Sequence, residues 1–260
     1  MAESPILYRF DALDGAPVVH AVSTRLGGAS LPPTAGLNLG HTVGDDPQAV
    51  DSNHVMLFAA LGIPAGQIVT AHQVHGNRIA VVGQADAGTV VSETDGLITS
   101  ERGLYLMLRF ADCVPVLLYD PVRQAVGLAH AGWQGTLAGV AARAAQAMVR
   151  QLGCRMVDLR AAVGPSIGPC CYEVGPKVVE ATAAAFPDAP WLLTRRQANG
   201  HAHLDLWAAN ATQLAQLGVG QIETARLCTA CRADLFFSHR AERGRTGRFA
   251  AILGLRPDDV

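Results

Sequence analysis

Short apolar runs closed by turn residues set the rhythm of the chain. Residues 104–110 (LYLMLRF), 114–119 (VPVLLY) and 125–130 (AVGLAH) are almost wholly hydrophobic and are bounded by Gly, Asp and Pro. Runs of that length are too short for helices and predict buried strands, with Asp120-Pro121 turning the chain between the last two. Beyond Gly132 and Gly135 the period changes. Residues 137–151 are Ala-rich and place Leu137, Val140, Ala144 and Met148 on one face, so a strand–loop–helix unit is predicted. Residues 159–163 (LRAAV) predict a further strand, and helices follow near 176–186 and 205–217, the second stopped by Gly218. Upstream, Asp46-Pro47 supplies an N-cap and a first-turn Pro to a helix carrying Val50, His54, Leu57 and Leu61, which Gly62 ends. Residues 24–47 are crowded with Gly, Pro, Asn and Asp and predict a long ordered loop, a feature often tied to function. Residues 191–203 predict a surface hairpin, and RADLFFSHR (232–240) another strand. Interleaved strands and helices make the class α/β or α+β: a sandwich, one domain over 1–260, with a mixed central sheet covered by helices.

Composition narrows the function. With 260 residues, 50% hydrophobic and 16% charged, the chain can bury a sizeable core, and disorder is excluded. Its net charge of -2, from 22 acidic against 20 basic residues, excludes a nucleic-acid binder driven by bulk charge. The basic residues are 19 arginines and one lysine, Lys177; guanidinium groups suit phosphate or carboxylate wherever they line a pocket. No apolar stretch approaches the roughly 20 residues that span a bilayer, and MAESPILYRF has no basic segment followed by an apolar one. A cytoplasmic protein is therefore expected, not bound to membranes. Its six cysteines should be thiols, thiolates or metal ligands rather than disulfides.

Two candidate ligands stand at predicted strand ends beside Gly-rich turns: Cys113 in FADCVPVLLYDP and His130 in GLAHAGWQGT. A third, His75 in AHQVHGN, follows the strand-like residues 68–71. Strand ends are where such sheets present side chains to a ligand crevice. One thiolate with two imidazoles suits zinc, and three protein ligands leave a coordination position open, as in catalytic sites. A Cys113–His130 nucleophile–base pair would use two of the same side chains. His75 separates the readings, because a dyad has no need of it.

Cys228-x-x-Cys231 with Cys170-Cys171 forms a rival thiolate set, ranked below because adjacent cysteines fit poorly around one tetrahedral ion. A thioredoxin-like role for Cys228 and Cys231 ranks equally low, since the following residues read as a strand. RLGG (25–28) and AGWQG (131–135) offer backbone amides to an anion. Arg25, Asn38 in the same loop and Trp133 near His130 are the candidates for binding phosphate and substrate. Arg240, Arg243, Arg245 and Arg248 share a C-terminal segment read as a solvated basic loop for all but one or two of them.

Taken in order, STRLGG (23–28), LNLG with GDDP (37–47), QVHG (73–76), ADCVPVLLYDP (111–121), AHAGWQGT (129–136), GPSIGPCCYEVG (164–175) and FFSHR (236–240) form a pattern that resembles the YfiH-type family. Its members are variously called multicopper polyphenol oxidase (laccase) domain proteins, purine nucleoside phosphorylases or peptidoglycan editing factors. The resemblance runs from about residue 20 to 254. It implies a sandwich related to a bacterial toxin deamidase, the cytotoxic necrotizing factor, and a catalytic zinc on His75, Cys113 and His130. It also implies phosphorolysis of adenosine, inosine, guanosine and S-methyl-5'-thioadenosine, with adenosine deamination beside it; the mixed surface and single core suit a monomer or small homo-oligomer. Copper-dependent polyphenol oxidation and peptidoglycan editing are the alternatives it brings. Asp112 and Glu173 are acid candidates by motif neighbourhood. Gln134 departs from the Arg that many members carry after the Trp of HAGW.

Overall fold

A computed structural model describes residues 4–258. Most strands belong to two six-stranded sheets. In the first, neighbours run Leu7–Tyr8, Val18–Ser23, Phe249–Leu255, Tyr105–Phe110, Ile68–Ala71 and Val90–Val91. In the second they run Gln221–Thr224, Arg160–Val163, Val114–Asp120, Ala125–Ala131, Gly96–Thr99 and Ile79–Val81. Both sheets mix parallel and antiparallel pairs. A small third sheet joins Glu173–Val174, Ala202–Leu204 and Leu193–Thr194.

The apolar runs are buried on both faces because the two large sheets stack. Leu106, Leu108, Phe110 and Leu253 of the first sheet pack with Leu117, Tyr119, Val126 and Leu128 of the second. Helix Pro47–Leu61 covers the outside of the first sheet through Leu57, Phe58 and Leu61. Helices Val140–Leu152 and Leu206–Gln216 cover the outside of the second. Every residue of Val114–Asp120, Ala125–Ala131 and Phe249–Leu255 is buried, which is what a run with no polar alternation demands. The sandwich of helices and mixed sheets is as expected. What the pattern of strands could not convey is their division between two stacked sheets.

Local predictions fare well where capping chemistry is explicit. Asp46 accepts from the Gln48 N–H at 3.0 Å, Pro47 opens the helix, and Gly62 closes it at φ 67. The Ala-rich segment after Gly135 is broken at Gly139, φ 75, into Trp133–Leu137 and Val140–Leu152. The hairpin at 191–203 is present, with Leu193 opposite Leu204. The strand expected at 232–240 is not. Leu235 and Phe236 both donate to the Arg232 carbonyl, and consecutive Phe236 and Phe237 are both buried, so the segment winds in turns. Among the described residues no helix is long and apolar enough to cross a membrane.

Candidate metal centre and active-site cleft

The strand pairing of the second sheet gathers the site. In the antiparallel pair of Val114–Asp120 with Ala125–Ala131, Pro115 faces His130 and Val114 faces Ala131, so Cys113 emerges beside the His130 end. Gly96 pairs with Ala129, which sets Asp95 against His130 from the other side; the His130 N–H donates to the Asp95 carbonyl at 2.7 Å. His75 arrives from the loop after Ile68–Ala71 and takes a left-handed φ of 60. One donor atom from each of His75, Cys113 and His130 lies within 4.8 Å of the others. His75 is exposed, Cys113 half-buried and His130 buried.

Asp95 holds this arrangement and was not singled out by the sequence. Fully buried, its carboxylate accepts three consecutive backbone N–H groups: Val74 at 3.1 Å, His75 at 3.0 Å and Gly76 at 2.7 Å. It also accepts from His130 Nδ1 at 2.8 Å. With Nδ1 engaged, the other ring nitrogen of His130 is the one available as a ligand. The sequence signal was only a polar Thr94-Asp95 just ahead of the apolar strand Gly96–Thr99.

The donor set fits a soft divalent cation. Two imidazoles and one thiolate are zinc ligands, and the three leave room for a fourth from solvent or substrate. Gly132 keeps that space clear: a Cβ there would stand 2.9 Å from His75 Nδ1 and 3.0 Å from Cys113 Sγ. Burial opposes ionisation of Cys113, but the charge and hydrogen bonds of His130, with help from His75, outweigh it and bring its pKa down to about 6. Burial likewise opposes the charged form of His130, yet the Cys113 thiolate and Asp95 raise its pKa to about 9. Each therefore favours the charged form of the other, the thiolate at Cys113 and the imidazolium at His130.

The centre opens into a cleft of about 710 Å³. Its cationic wall comes from Arg109, Arg240 and Arg248, with His72 and His239 nearby. Arg109 anchors to the Leu39 carbonyl through Nε at 2.8 Å. Arg248 donates through Nη1 to the Thr246 and Gly247 carbonyls, and Arg240 lies 5.3 Å from the Tyr172 ring centroid. Trp133, Tyr172, Ile167 and Leu206 line an adjoining recess of about 200 Å³ beside His75 and Cys113, and Gln134 lines it too. Tyr172 has its phenol pKa pushed up, first by burial and then by the Cys113 thiolate, so its O–H is retained.

Of the expected substrate residues, Trp133 lines the cleft, and Arg25 and Asn38 do not. Arg25 donates to the Ala233 carbonyl and Glu242, both at 2.9 Å, and its guanidinium lies 4.5 Å from the Phe237 ring centroid. A third bond, to the Ala35 carbonyl at 3.4 Å, ties it further into the fold, and it lines neither the cleft nor the recess. Asn38 is fully buried; its amide donates to Gly40 and Asp45, while its carbonyl accepts from Gly40 and from the Arg248 N–H at 2.8 Å. Through that last bond it holds the backbone of Arg248. Of the acid candidates, Asp112 lines the cleft and the recess beside Cys113 with both carboxylate oxygens hydrogen-bonded, and Glu173 lines neither. Asp112 accepts from Thr229 Oγ1 at 2.6 Å and the Arg240 N–H at 2.7 Å, and Glu173 faces solvent with His201 at 3.0 Å. Of the four C-terminal arginines, Arg240 and Arg248 reach the cleft, and Arg109, missed in the sequence, joins them. A lone Arg in the buried run LYLMLRF was its signal. The helix opening at Trp133 has five residues, too short a dipole to hold an anion by itself.

A family model described as multi-copper polyphenol oxidoreductase laccase matches residues 19–256. The chain is 41% identical over 249 residues to a protein named purine nucleoside phosphorylase YlmD from Geobacillus stearothermophilus, covering 92% of this chain and 91% of that one. It is 42% identical over 241 residues to a purine nucleoside phosphorylase of Deinococcus radiodurans, covering 92% and 89%. The crystal structure of YlmD from G. stearothermophilus superposes with a TM-score of 0.93 at 38% identity, covering 99% of this chain and 98% of that chain.

Proposed function

The chain belongs to the multi-copper polyphenol oxidoreductase laccase family, and on that premise we propose that it is a zinc-dependent purine nucleoside phosphorylase with adenosine deaminase activity. The observation that carries the reading is the joining of a His75–Cys113–His130 donor set to a cleft walled by three arginines. Its relatives' names supply the substrate class; the substrates proposed are adenosine, inosine, guanosine and S-methyl-5'-thioadenosine, met in the cytoplasm.

Phosphorolysis forms a bond from a phosphate oxygen to C1′ as the C1′–N9 bond breaks, and the electron pair leaves with the purine. Two tasks follow: holding a dianion and accommodating the leaving base. Arg109, Arg240 and Arg248 suit the first, because forked guanidinium groups bind phosphate oxygens in pairs. Trp133 and Tyr172 offer aromatic faces to the base, and the Tyr172 hydroxyl a hydrogen bond. Asp95 keeps His75 and His130 in ligating orientation throughout. Zinc, when bound, supplies Lewis acidity toward a substrate oxygen or a water, and the latter is what deamination at C6 requires.

Copper-dependent phenol oxidation draws less support. A multi-copper centre needs many more converging imidazoles, and among the described residues only one of the two ligand clusters contains any. The test is Cys113→Ser. The reading expects loss of bound zinc together with both nucleoside activities; full turnover in that variant would remove Cys113 from the mechanism.

A further inference from the structure

Far along the chain from the catalytic donors, four cysteines meet. Cys170 and Cys171 lie on one loop, Cys228 and Cys231 on another, and their sulfurs all fall within 4.8 Å of one another. Cys231 Sγ is 3.4 Å from Cys170 Sγ and 3.4 Å from Cys171 Sγ. All are free thiols. We infer that these four cysteines form a second metal site, a tetrathiolate that holds zinc and staples the two loops together.

Three observations support it. The first is distance: zinc bonds of about 2.3 Å place the sulfurs of a tetrahedral site about 3.8 Å apart, and the observed spacing needs only small side-chain adjustment. The second is how each loop aims its pair. Cys171 and Tyr172 both donate backbone N–H to the Gly168 carbonyl, a tight turn that lets neighbouring side chains converge. The Arg232 N–H donates to the Cys228 carbonyl at 2.9 Å, folding Cys231 back over Cys228. The Gly168 N–H donates to Cys228 Sγ at 3.2 Å, a bond that favours a thiolate there. The third is charge. Four thiolates around a divalent ion leave a net charge of -2, and two cations contact the turn that carries Cys170 and Cys171: Arg195 donates to the Cys170 carbonyl at 3.4 Å and Arg240 to the Cys171 carbonyl at 3.5 Å.

The location gives the staple a use. Ile167 and Tyr172 of the first loop line the recess, and Thr229 of the second holds Asp112 beside Cys113. Cys228 is buried and Cys171 half-buried, while Cys170 and Cys231 are exposed, so an ion is reachable from solvent yet fixed from within. The adjacency of Cys170 and Cys171 argued against such a site in the sequence; the turn at Gly168 removes the objection.

The site is independent of the nucleoside reading, and zinc itself is the probe. Full-length protein reconstituted with zinc under reducing conditions should hold two ions per chain. Cys113→Ser should keep one, and Cys231→Ser should keep the other together with nucleoside turnover above that of Cys113→Ser. Cobalt bound to Cys113→Ser should show the strong near-ultraviolet thiolate absorption of a tetrahedral sulfur site. Mass mapping of iodoacetamide-modified wild-type protein serves if a variant fails to fold: zinc should shield all four cysteines until a chelator exposes them. A metal-free Cys113→Ser after reconstitution, four cysteines alkylated equally with and without zinc, or a disulfide between Cys231 and Cys170 or Cys171 in reducing, zinc-containing buffer would each overturn the inference.

Discussion

Asp95 Oδ1 lies 2.8 Å from His130 Nδ1, and both groups are buried at the same end of the second sheet. The strand register puts them there: Gly96 opposite Ala129 leaves the preceding and following residues side by side. Because the same carboxylate also collects the N–H groups of residues 74–76, one side chain orients two of the three metal ligands.

Asp95→Asn should therefore weaken the metal site without removing a ligand. An amide can still accept from one neighbour, but its NH₂ faces backbone donors that need an acceptor. Zinc affinity, measured by competition with a chromophoric chelator, should fall about 10- to 100-fold, as is usual when a partner behind a ligating His is lost. Unchanged affinity would show that Asp95 is only a loop anchor.

Cys113 should be reactive in the zinc-free protein. With its pKa near 6, held down by His130 and His75 against burial, the thiolate is present above that pH. His130, raised to about 9, stays protonated until the pH passes that value. The sign for stability follows from both. The Cys113 contribution is lost as pH falls through about 6, and the His130 contribution as pH rises through about 9, so the ion pair stabilises the metal-free fold best between them. Iodoacetamide modification of Cys113 should rise with an inflection near pH 6; an inflection at the ordinary thiol value would contradict the pairing.

Arg248 and Arg25 should behave oppositely. Removing a charged hydrogen-bond donor from bound phosphate costs about 1.5–3 kcal/mol, or roughly 10- to 100-fold. Arg248→Gln should raise the KM for phosphate by about that factor. Arg25→Gln should leave that KM alone and lower the melting temperature, because its partners are Glu242, Ala233 and the Phe237 ring. The reverse pattern would return Arg25 to the site.

Residues that act through their immediate neighbours were legible in the sequence. Asp46, Pro47 and Gly62 bounded a helix, and the turns flanking Cys113 and His130 marked strand ends. Residues whose meaning depends on distant pairing were not. Asp95 matters only once the strand register sets it against His130, and Arg109 only once the fold brings it to the same cleft wall as Arg240 and Arg248. Arg25 looked free because its glycine-rich surroundings suggest an anion loop, yet Glu242 reaches it from 217 residues away. Asn38 shares the loop of Arg25, and the fold turns its amide inward onto Gly40, Asp45 and Arg248. Phe236 and Phe237 looked like a strand, but both are buried in a turn region, a pattern that local alternation cannot anticipate.

The central claim is best tested by product analysis of metal-quantified protein incubated with adenosine, with and without phosphate. The account predicts adenine and ribose 1-phosphate only when phosphate is present, and inosine in either case. Zinc-loaded protein that converts none of adenosine, inosine or S-methyl-5'-thioadenosine would contradict it.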